Sequence, residues 1–329
     1  MFDGIVMFSG GLDSTIVAHH LKSMGLRIKL VHYVLPFYSG IGFTHKSVCK
    51  AAESLGLELE IIEEGVEFAS MMKNPYFGFG KNANPCVDCR IRRLIHAKTI
   101  MQNCGASFIA TGEVAGQRPM SQRITMMNSI EKRADVKGIL LRPLSAKHFP
   151  PTIAEEKGIV DRENLFDLKG RSRAFQLEYS KKHNLVHVAP AGGCVLTIID
   201  PSNRFHELAK YSPDFGINEL KLIAYGRHFR ISDKCKCVVA RNNSENQILI
   251  KLLEPDNNYL EMADTPGPIG LIRGEYTESD LSQCASLLAR YSKEKNADFA
   301  NVELVVNETI IKTVKVKPAS DETCETLRI

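Results

Sequence analysis

Runs of apolar residues alternate with helical patterns along the N-terminal part of the chain. Apolar runs rich in branched residues are typical of strands, and apolar positions at helical spacing are typical of helices. The predicted strands are 5–8, 27–34, 57–62 and 107–111, and the predicted helices are 14–24, 44–55 and 174–183. Strands that alternate with helices in this way form a parallel sheet with right-handed crossovers. The pattern therefore predicts an α/β domain.

A long segment without periodicity, residues 74–85, separates the third strand from a helix predicted at 91–104. It is rich in glycine, asparagine and aromatic residues. Long loops without secondary structure are disproportionately functional. If the substrate is a base that must leave its stack, Tyr76, Phe77 and Phe79 are candidates to receive it.

From residue 203 the pattern changes to short mixed elements. The predicted helices are 205–211, 217–225, 244–253 and 280–293, and the predicted strands are 237–240, 259–262, 302–306 and 309–316. The last two strands, joined at Asn307 and Glu308, form either a hairpin or two parallel edge strands. These elements predict a compact α+β domain. We therefore divide the chain into domains at 1–202 and 203–329.

The first strand breaks at Gly10 and Gly11, and a helix follows at once. Such a turn leaves backbone N–H groups at a helix start, where they and the helix dipole favour a phosphate anion. Ser9 and Ser14 add hydroxyl donors. Asp13 would repel a bare phosphate, which suggests Mg²⁺ or a proton-transfer role. The usual Gly-Lys-Ser/Thr phosphate loop is absent, and the plain alternative is a glycine turn.

Residues 9–14, Ser-Gly-Gly-Leu-Asp-Ser, resemble the PP-loop of ATP pyrophosphatases. The resemblance implies a doubly wound α/β sheet and cleavage of ATP between its α- and β-phosphates, which adenylates an acceptor. It implies that the phosphates of ATP lie on Ser9, Gly10, Gly11, Asp13 and Ser14. It also implies that the adenosine lies near residues 31–34, with His32 and Tyr33.

Two further motifs sharpen this resemblance. Thr-Gly-Glu-x-x-Gly-Gln-x-x-x-Ser-Gln at 111–122 and Leu-Arg-Pro-Leu-Ser-Ala-Lys at 141–147 resemble the catalytic domain of tRNA 4-thiouridine synthetases. That family adenylates a uridine carbonyl oxygen and replaces it with sulfur. The resemblance implies that Gly112 and Gln117 border the ATP site.

Cys86 and Cys89 lie at a loop-to-helix junction, where the helix dipole favours thiolates. Four interpretations compete. A thioredoxin-like redox pair would follow the first strand, and a structural zinc needs a second ligand pair, which is absent. The others are buried, inert thiols and an iron–sulfur cluster completed by a distant cysteine. Cys194, preceded by two glycines, is the best distant candidate.

The spacing of Cys86, Cys89 and Cys194 resembles that of cluster-dependent tRNA thiolases, whose three cysteines hold a 4Fe–4S cluster. The related 2-thiouridylases use two cysteines as a persulfide nucleophile and its disulfide partner. Spacing does not separate these alternatives, and the presence of three cysteines favours the cluster. Four more cysteines have no companion in the sequence and are interpreted as core or surface residues, namely Cys49, Cys104, Cys284 and Cys324.

Basic residues are concentrated near these motifs, as a track for tRNA phosphates requires. The candidate RNA-binding residues are Arg90, Arg93, Arg118, Arg171, Arg173 and Arg227. The C-terminal domain, with Gly-Arg-x-x-Arg at 226–230 and Ala-Arg-Asn at 240–242, resembles the NFACT-type RNA-binding domain of ribosome quality-control proteins. An oligomerisation domain or a substrate lid is the alternative.

The composition is ordinary for a globular protein, with 44% hydrophobic and 24% charged residues, and excludes disorder or a coiled coil. No apolar run approaches the roughly 20 residues of a membrane span, and no signal sequence is present. These features predict a cytoplasmic protein with no membrane partner. Nine cysteines, an odd number, argue against a disulfide framework. The net charge of +4 adds little, because nucleic-acid binding depends on local patches.

Together these patterns predict an ATP-dependent RNA sulfurtransferase that uses ATP, Mg²⁺ and a 4Fe–4S cluster. Asp13, Cys86 and Cys194 are the predicted catalytic residues, and Cys86, Cys89 and Cys194 the predicted cluster ligands. The predicted partners are tRNA or another RNA and a sulfur donor, either sulfide or a cysteine desulfurase, and a homodimer is left open. The alternatives are an enzyme that adenylates a small molecule, a persulfide-based thiouridylase, and a non-enzymatic RNA-binding module.

Overall fold

The computed structural model describes residues 1–38, 45–189, 194–253 and 258–329. The chain divides into two compact units, Met1–Cys194 and Val195–Ile329, and each has its own sheet. The domain boundary predicted between residues 202 and 203 stays a prediction. The two glycines before Cys194 lie outside the described residues. No helix among the described residues has the length and apolar content to cross a membrane.

The N-terminal unit contains a five-stranded parallel sheet with helices between its strands. Its strands are β1 Gly4–Met7, β2 Ile28–Val34, β3 Leu59–Glu63, β4 Phe108–Thr111 and β5 Leu140–Leu141. Its helices are α1 Leu12–Ser23, α2 Lys46–Leu55, α3 Val66–Lys73, α4 Cys86–Asn103, α5 Ile124–Arg133, α6 Ile153–Glu156 and α7 Ala174–Lys182. The strand order is β3-β2-β1-β4-β5, which confirms the predicted α/β sheet.

The two faces of strand β1 explain why its sequence is apolar without alternation. Val6 packs with Ile16 of α1 on one face, and Ile5 packs with Leu94 of α4 on the other. A parallel sheet covered by helices on both faces requires apolar residues at successive positions. Strand order reverses between β1 and β4, and ligands of such sheets bind at the carboxyl ends of the strands at this point. The fold therefore directs attention to the loops after β1 and β4.

The C-terminal unit contains a six-stranded antiparallel sheet in the order β11-β10-β8-β9-β7-β6. Its strands are β6 Arg227–Arg230, β7 Lys236–Val239, β8 Asn258–Met262, β9 Gly270–Arg273, β10 Ala300–Val306 and β11 Thr309–Val316. Its helices are α8 Ile199–Tyr211, α9 Ile217–Leu222, α10 Asn243–Lys251, α11 Glu278–Arg290 and α12 Asp321–Leu327. The main core lies between this sheet and α11, whose Leu281 and Leu288 are fully buried. This confirms the predicted α+β unit.

Of the two arrangements predicted for the last strands, the hairpin is correct. Strands β10 and β11 pair antiparallel from Ala300 and Val316 to Val306 and Thr309. The two turn residues, Asn307 and Glu308, both have positive φ, at 48° and 61°. A two-residue turn of this kind matches the twist of the flanking strands.

Three expectations from the sequence differ from the structure. Helix α4 begins at Cys86, whereas a start at residue 91 was predicted, because its first turn carries no apolar repeat. Strands β5, β6 and β9 and helices α3, α5, α6 and α12 were not predicted. Cys284 is buried as expected, but it has companions, since the thiols of Cys235 and Cys237 lie within hydrogen-bonding range of it.

Candidate nucleotide and sulfur site

The loop between β1 and α1 is shaped by hydrogen bonds among its own residues. Ser14 Oγ donates to Gly11 O at 3.0 Å, and Gly11 N donates to Ser9 Oγ at 3.3 Å. Gly10 has a φ of 71°, in the region that favours glycine. Gly11 occupies the N-cap position of α1, where no side chain caps the helix. The first N–H groups of α1 are therefore available to an anion.

The end of β4 lies directly against the start of α1. A Cβ atom added to Gly112 would lie 2.7 Å from Ser14 N and 2.8 Å from Asp13 C, which are both backbone atoms. No other residue fits this position without moving one of the two elements. Gly112 was predicted to border the nucleotide site, and the structure brings its backbone to the helix start of that loop.

Asp13, in the first turn of α1, faces donors on several sides. Burial raises its pKa, and Arg173, the amides of Gln117 and Gln176, and Arg118 lower it. Neither amide reaches Asp13 Oδ1 within hydrogen-bond geometry, and this buried oxygen has no partner among the described residues. The donors around Asp13 favour a ligand with acceptor atoms, whereas the unpartnered Oδ1 itself accepts from a donor or binds a cation. Mg²⁺ at Asp13 therefore stays a prediction.

His32 and Tyr33 lie on β2, beside the nucleotide loop. His32 Nδ1 lies 2.8 Å from Phe8 O; because a carbonyl only accepts, Nδ1 carries the proton. Burial lowers the pKa of His32, so the ring is neutral and Nε2 is an acceptor. Tyr33 donates its hydroxyl to Arg93 O at 3.2 Å, and burial raises its pKa. Contact of either residue with adenosine stays a prediction.

Three thiols gather at the start of α4. Cys86 and Cys89 belong to its first turn, and Asn84 Nδ2 donates to Cys86 Sγ at 3.3 Å. Burial raises the pKa of Cys89, and the nearby thiols of Cys194 and Cys86 raise it further. The effect of Cys86 and Cys194 on the pKa of Cys89 indicates that the three cysteines singled out by the sequence lie in one neighbourhood, and their joint role stays a prediction. None of the nine cysteines forms a disulfide.

Cys86, Cys89 and Cys194 supply the donor type that an iron–sulfur cluster requires. Their arrangement is a separate question. Among the described residues, no group of three His, Cys, Asp or Glu side chains has an arrangement that holds a metal ion. The residues fit the cluster in type and do not fit it in geometry. The cluster stays a prediction, and no step proposed below passes through it.

Two connections link the thiols to the nucleotide loop within the N-terminal unit. Arg90, next to Cys89, forms an ion pair with the buried Glu113 at 2.7 Å, and Glu113 directly follows Gly112. In the second connection, Val188 N donates to Gly10 O at 2.7 Å, shortly before Cys194 in the chain. The sulfur-bearing and phosphate-binding segments therefore belong to one packed region.

Glu113 is the centre of a buried ion network. Its carboxylate contacts Arg90 and Arg142 Nε, the latter at 3.1 Å, and it accepts from Thr111 Oγ1 at 3.2 Å. Burial alone would raise the pKa of Glu113, but Arg90 and Arg142 lower it below its ordinary value. Arg142 is only 3% exposed and also lies 3.4 Å from Glu131. Glu113 and Arg142 belong to the motifs at 111–122 and 141–147, but their pairing was not predicted.

The arginines predicted to bind RNA fall into different surroundings. Arg90 pairs with Glu113, and Arg93 pairs with the buried Glu64 at 2.5 Å. Arg118 and Arg173 act on Asp13 at the nucleotide loop, and Arg171 is exposed. RNA binding by these residues stays a prediction.

The C-terminal unit gathers several arginines at one place. Arg227 lies over the ring of Tyr291, with 4.4 Å to the ring centroid, and its Nη1 donates to Ala240 O at 3.1 Å. Burial lowers the pKa of Arg227, and Arg328 and Arg241 lower it further. Burial also lowers the pKa of Arg204, and Arg241 and Arg328 lower it further. This basic cluster is therefore made of residues Arg204, Arg227, Arg241 and Arg328.

The aromatic loop before α4 is held by one carboxylate. Asp88 accepts from the backbone N–H groups of Tyr76 and Phe77, both at 3.0 Å. The Tyr76 side chain is mostly exposed, and the Arg133 guanidinium lies 3.6 Å from its ring centroid. A base that stacks on Tyr76 would have to displace Arg133 or use the opposite face of the ring.

Two family models match the chain. Residues 4–153 match the tRNA methyl transferase HUP domain, and residues 226–328 match the NFACT protein RNA binding domain. The chain therefore joins a HUP domain that carries a PP-loop to an NFACT-type RNA-binding domain. The resemblances to PP-loop enzymes and to the NFACT-type RNA-binding domain are confirmed. The more specific resemblance to tRNA 4-thiouridine synthetases stays a prediction.

The chain is also similar to curated proteins over part of its length. It is 30% identical over 118 residues to a tRNA-specific 2-thiouridylase, MnmA, of Campylobacter lari, which covers 34% of this chain and 34% of that protein. It is 25% identical over 147 residues to MnmA of Clostridium kluyveri, which covers 40% of this chain and 41% of that protein. The chain thus spans well under half the length of these curated relatives.

Solved structures give weaker similarities. The U34-tRNA thiolase NcsA from Methanococcus maripaludis, solved with its 4Fe–4S cluster, is 17% identical over 68% of this chain and 70% of its own, with a TM-score of 0.37. The C-terminal part of the fibronectin/fibrinogen-binding protein from Streptococcus suis is 13% identical over 74% of this chain and 93% of its own, with a TM-score of 0.28.

Proposed function

We propose that this protein is an ATP-dependent RNA sulfurtransferase that replaces a uridine carbonyl oxygen of tRNA with sulfur. One observation carries the proposal: a loop suited to phosphates and the thiols at the start of α4 belong to the same unit, and Arg90 beside Cys89 pairs with Glu113, which directly follows Gly112. The partial similarity to tRNA-specific 2-thiouridylases supports the reaction class. The NFACT-type domain supports RNA as the substrate in preference to a small molecule.

The first step is adenylation of the base. ATP binds with its phosphates on residues 9–14 and its adenosine beside His32 and Tyr33. The uridine carbonyl oxygen attacks the α-phosphorus, the bond to the β-phosphate oxygen breaks, and pyrophosphate leaves. The protein supplies positioning and stabilisation of the phosphoryl charge, which account for most catalysis in such transfers.

The second step delivers sulfur from a cysteine persulfide on Cys86 or Cys194. This persulfide forms when the thiolate attacks the outer sulfur of a cysteine desulfurase persulfide and the desulfurase thiolate leaves. The terminal sulfur attacks the adenylated carbon, the bond from this carbon to oxygen breaks, and AMP leaves. The other thiolate then attacks the persulfide's inner sulfur, which releases the thiouridine and leaves a protein disulfide for a thiol reductant. Cys89 suits the nucleophile less, because burial raises its pKa and keeps its thiol protonated.

The test is a reconstituted reaction with anaerobically purified protein. The protein is incubated with ATP, tRNA from a strain that lacks it, a cysteine desulfurase with cysteine as sulfur donor, and a thiol reductant. Nucleosides are then analysed by mass spectrometry, and AMP by chromatography. We expect a thiolated uridine and AMP formation that depends on tRNA, both lost in Asp13→Asn and in Cys86→Ser. Cys104→Ser, which changes a half-buried thiol at the C-cap of α4, is the matched control and retains both.

Two results would contradict the proposal. AMP formation that is indifferent to RNA, with no thiolated nucleoside, would favour an enzyme that adenylates a small molecule. No AMP under any condition, with RNA binding intact, would favour a non-enzymatic RNA-binding module. Iron and acid-labile sulfide measured on the same anaerobic preparation decide between a cluster and a persulfide.

A further inference from the structure

Two loops of the N-terminal unit converge on the start of α1. The first, 115–122, follows β4, and the second, 169–173, precedes α7. They are joined where Gly170 N donates to Ala115 O at 2.7 Å, next to a parallel bridge between Ala115 and Lys169. The first loop carries Gln117 and Arg118, and the second carries Arg173, three residues before Gln176. Each loop therefore brings one amide and one guanidinium towards Asp13.

The two amides have unused donors. Gln176 is 1% exposed, and its Nε2 is buried with no hydrogen-bond partner in the described part of the chain. The Nε2 atom of Gln117 is also buried and has no hydrogen-bond partner in the described part of the chain. A buried donor without an acceptor costs about 1–3 kcal/mol. Both amides lie near enough to Asp13 to lower its pKa. Their Nε2 donors are therefore close to the uncapped start of α1.

The charges at this place are unbalanced. Arg118 and Arg173 both act on Asp13, and within the described ranges neither guanidinium has a carboxylate within 4.0 Å. Two cations and one carboxylate leave a net charge of +1, and the helix dipole adds further positive potential. Guanidinium groups match phosphate oxygens in geometry. The two guanidinium groups and the surplus positive charge therefore favour a polyphosphate as the ligand beside Asp13.

We propose that Arg118 and Arg173, with the amides of Gln117 and Gln176, bind the pyrophosphate that leaves during adenylation. The inference rests on the proposed function and assigns both arginines to nucleotide binding, whereas the sequence analysis assigned them to RNA binding. The β- and γ-phosphates bind to the first N–H groups of α1, and the two loops contact them from the other side. The leaving group is thereby stabilised as its charge develops.

The test is calorimetric titration of the protein with inorganic pyrophosphate, with and without Mg²⁺, in the absence of RNA. We compare Arg118→Met and Arg173→Met with the wild type. Each variant is expected to bind pyrophosphate about tenfold more weakly, since hydrogen bonds to charged groups contribute about 1.5–3 kcal/mol. Arg171→Met is the matched control, because it removes the same charge from the same exposed loop without acting on Asp13, and it is expected to bind normally.

The outcomes separate this inference from the proposed function. If the wild type binds pyrophosphate and both arginine variants bind it equally well, this inference is wrong and the nucleotide loop stands. If those variants lose tRNA affinity instead, the RNA assignment is restored. If the wild type binds no pyrophosphate, the nucleotide site itself is refuted. If Arg171→Met loses the same pyrophosphate affinity, the effect comes from overall positive charge, and the specific roles of Arg118 and Arg173 are refuted.

Discussion

The ion network around Glu113 gives a prediction about both stability and thiol chemistry. Replacing Glu113 by Gln keeps the shape and removes the charge that neutralises Arg90 and Arg142. Arg142 is only 3% exposed, so its guanidinium stays buried with the more distant Glu131 as its partner. Removing one partner of a buried ion pair costs about 3–5 kcal/mol. We expect a loss of this size in the free energy of unfolding.

Glu131→Gln is the matched control. It removes the same charge from the same arginine, but its carboxylate lies 3.4 Å away and is partly exposed. Burial raises the pKa of Glu131 more than Arg142 lowers it, so its charge stabilises the fold less than that of Glu113, and a smaller loss is expected. Urea denaturation of both variants, followed by circular dichroism, measures the difference. Equal losses for the two variants would refute the role assigned to Glu113.

The Glu113 contribution also depends on pH in a definite direction. The two arginines lower the pKa of Glu113 in the folded protein below its ordinary value of 4.5. A depressed folded-state pKa gives stability that is present above the unfolded-state value and lost as pH falls through the folded-state value. The stability difference between the wild type and Glu113→Gln is therefore full at pH 7 and shrinks below about pH 4.5.

A second readout separates this network from simple packing. Arg90 lowers the pKa of Cys89, against the larger effect of burial. Without Glu113, the charge of Arg90 is no longer neutralised and stabilises the Cys89 thiolate more strongly. We expect faster alkylation of Cys89 at neutral pH in Glu113→Gln, measured by mass spectrometry of the labelled peptide. An unchanged rate would show that Arg90 does not couple the carboxylate to the thiol.

Three further predictions concern other parts of the molecule. Gly112→Ala is expected to lose about 1–3 kcal/mol of stability and most ATP binding, because its Cβ meets the α1 backbone. Gly65→Ala, whose Cβ has room, is the control when the free energy of unfolding and ATP affinity are measured. Removal of Arg241 and Arg328 is expected to lower the salt dependence of RNA binding by about one unit per lost phosphate contact, measured in filter-binding titrations; an unchanged slope would exclude the basic cluster from the RNA interface. Tyr76→Ala is expected to slow thiolation and leave pyrophosphate binding intact, and unchanged turnover would remove that ring from base binding.

The fold of the N-terminal unit could be predicted because its signals are local. The apolar run at Ile5 and Val6 reflects a strand buried on both faces, and the break at Gly10 and Gly11 marks the turn into α1. The start of α4 could not be predicted in the same way. Its first turn has no apolar repeat to mark it, and a proline at the N-cap is compatible with either a loop or a helix start.

The site could be predicted only where a short motif carries it. Gly112 and Gln117 belong to such a motif, and the fold brings them to the start of α1 as expected. Gln176 is an isolated glutamine in a helix, and nothing in the sequence relates it to Asp13. The pairing of Glu113 with Arg142 spans 29 positions. Contacts of that kind depend on tertiary packing, and no local pattern encodes them.

The hydrogen bond between Val188 and Gly10 sets a limit on how far the sulfur of Cys194 can travel. A fully extended chain spans at most about 3.6 Å per residue, so six residues beyond the anchor at Val188 reach about 20 Å. Cys194 is therefore tethered, and any reaction centre that it serves lies inside that radius. Inserting residues between Val188 and Cys194 would keep the same chemistry but lower the effective concentration of the thiol at the reaction centre.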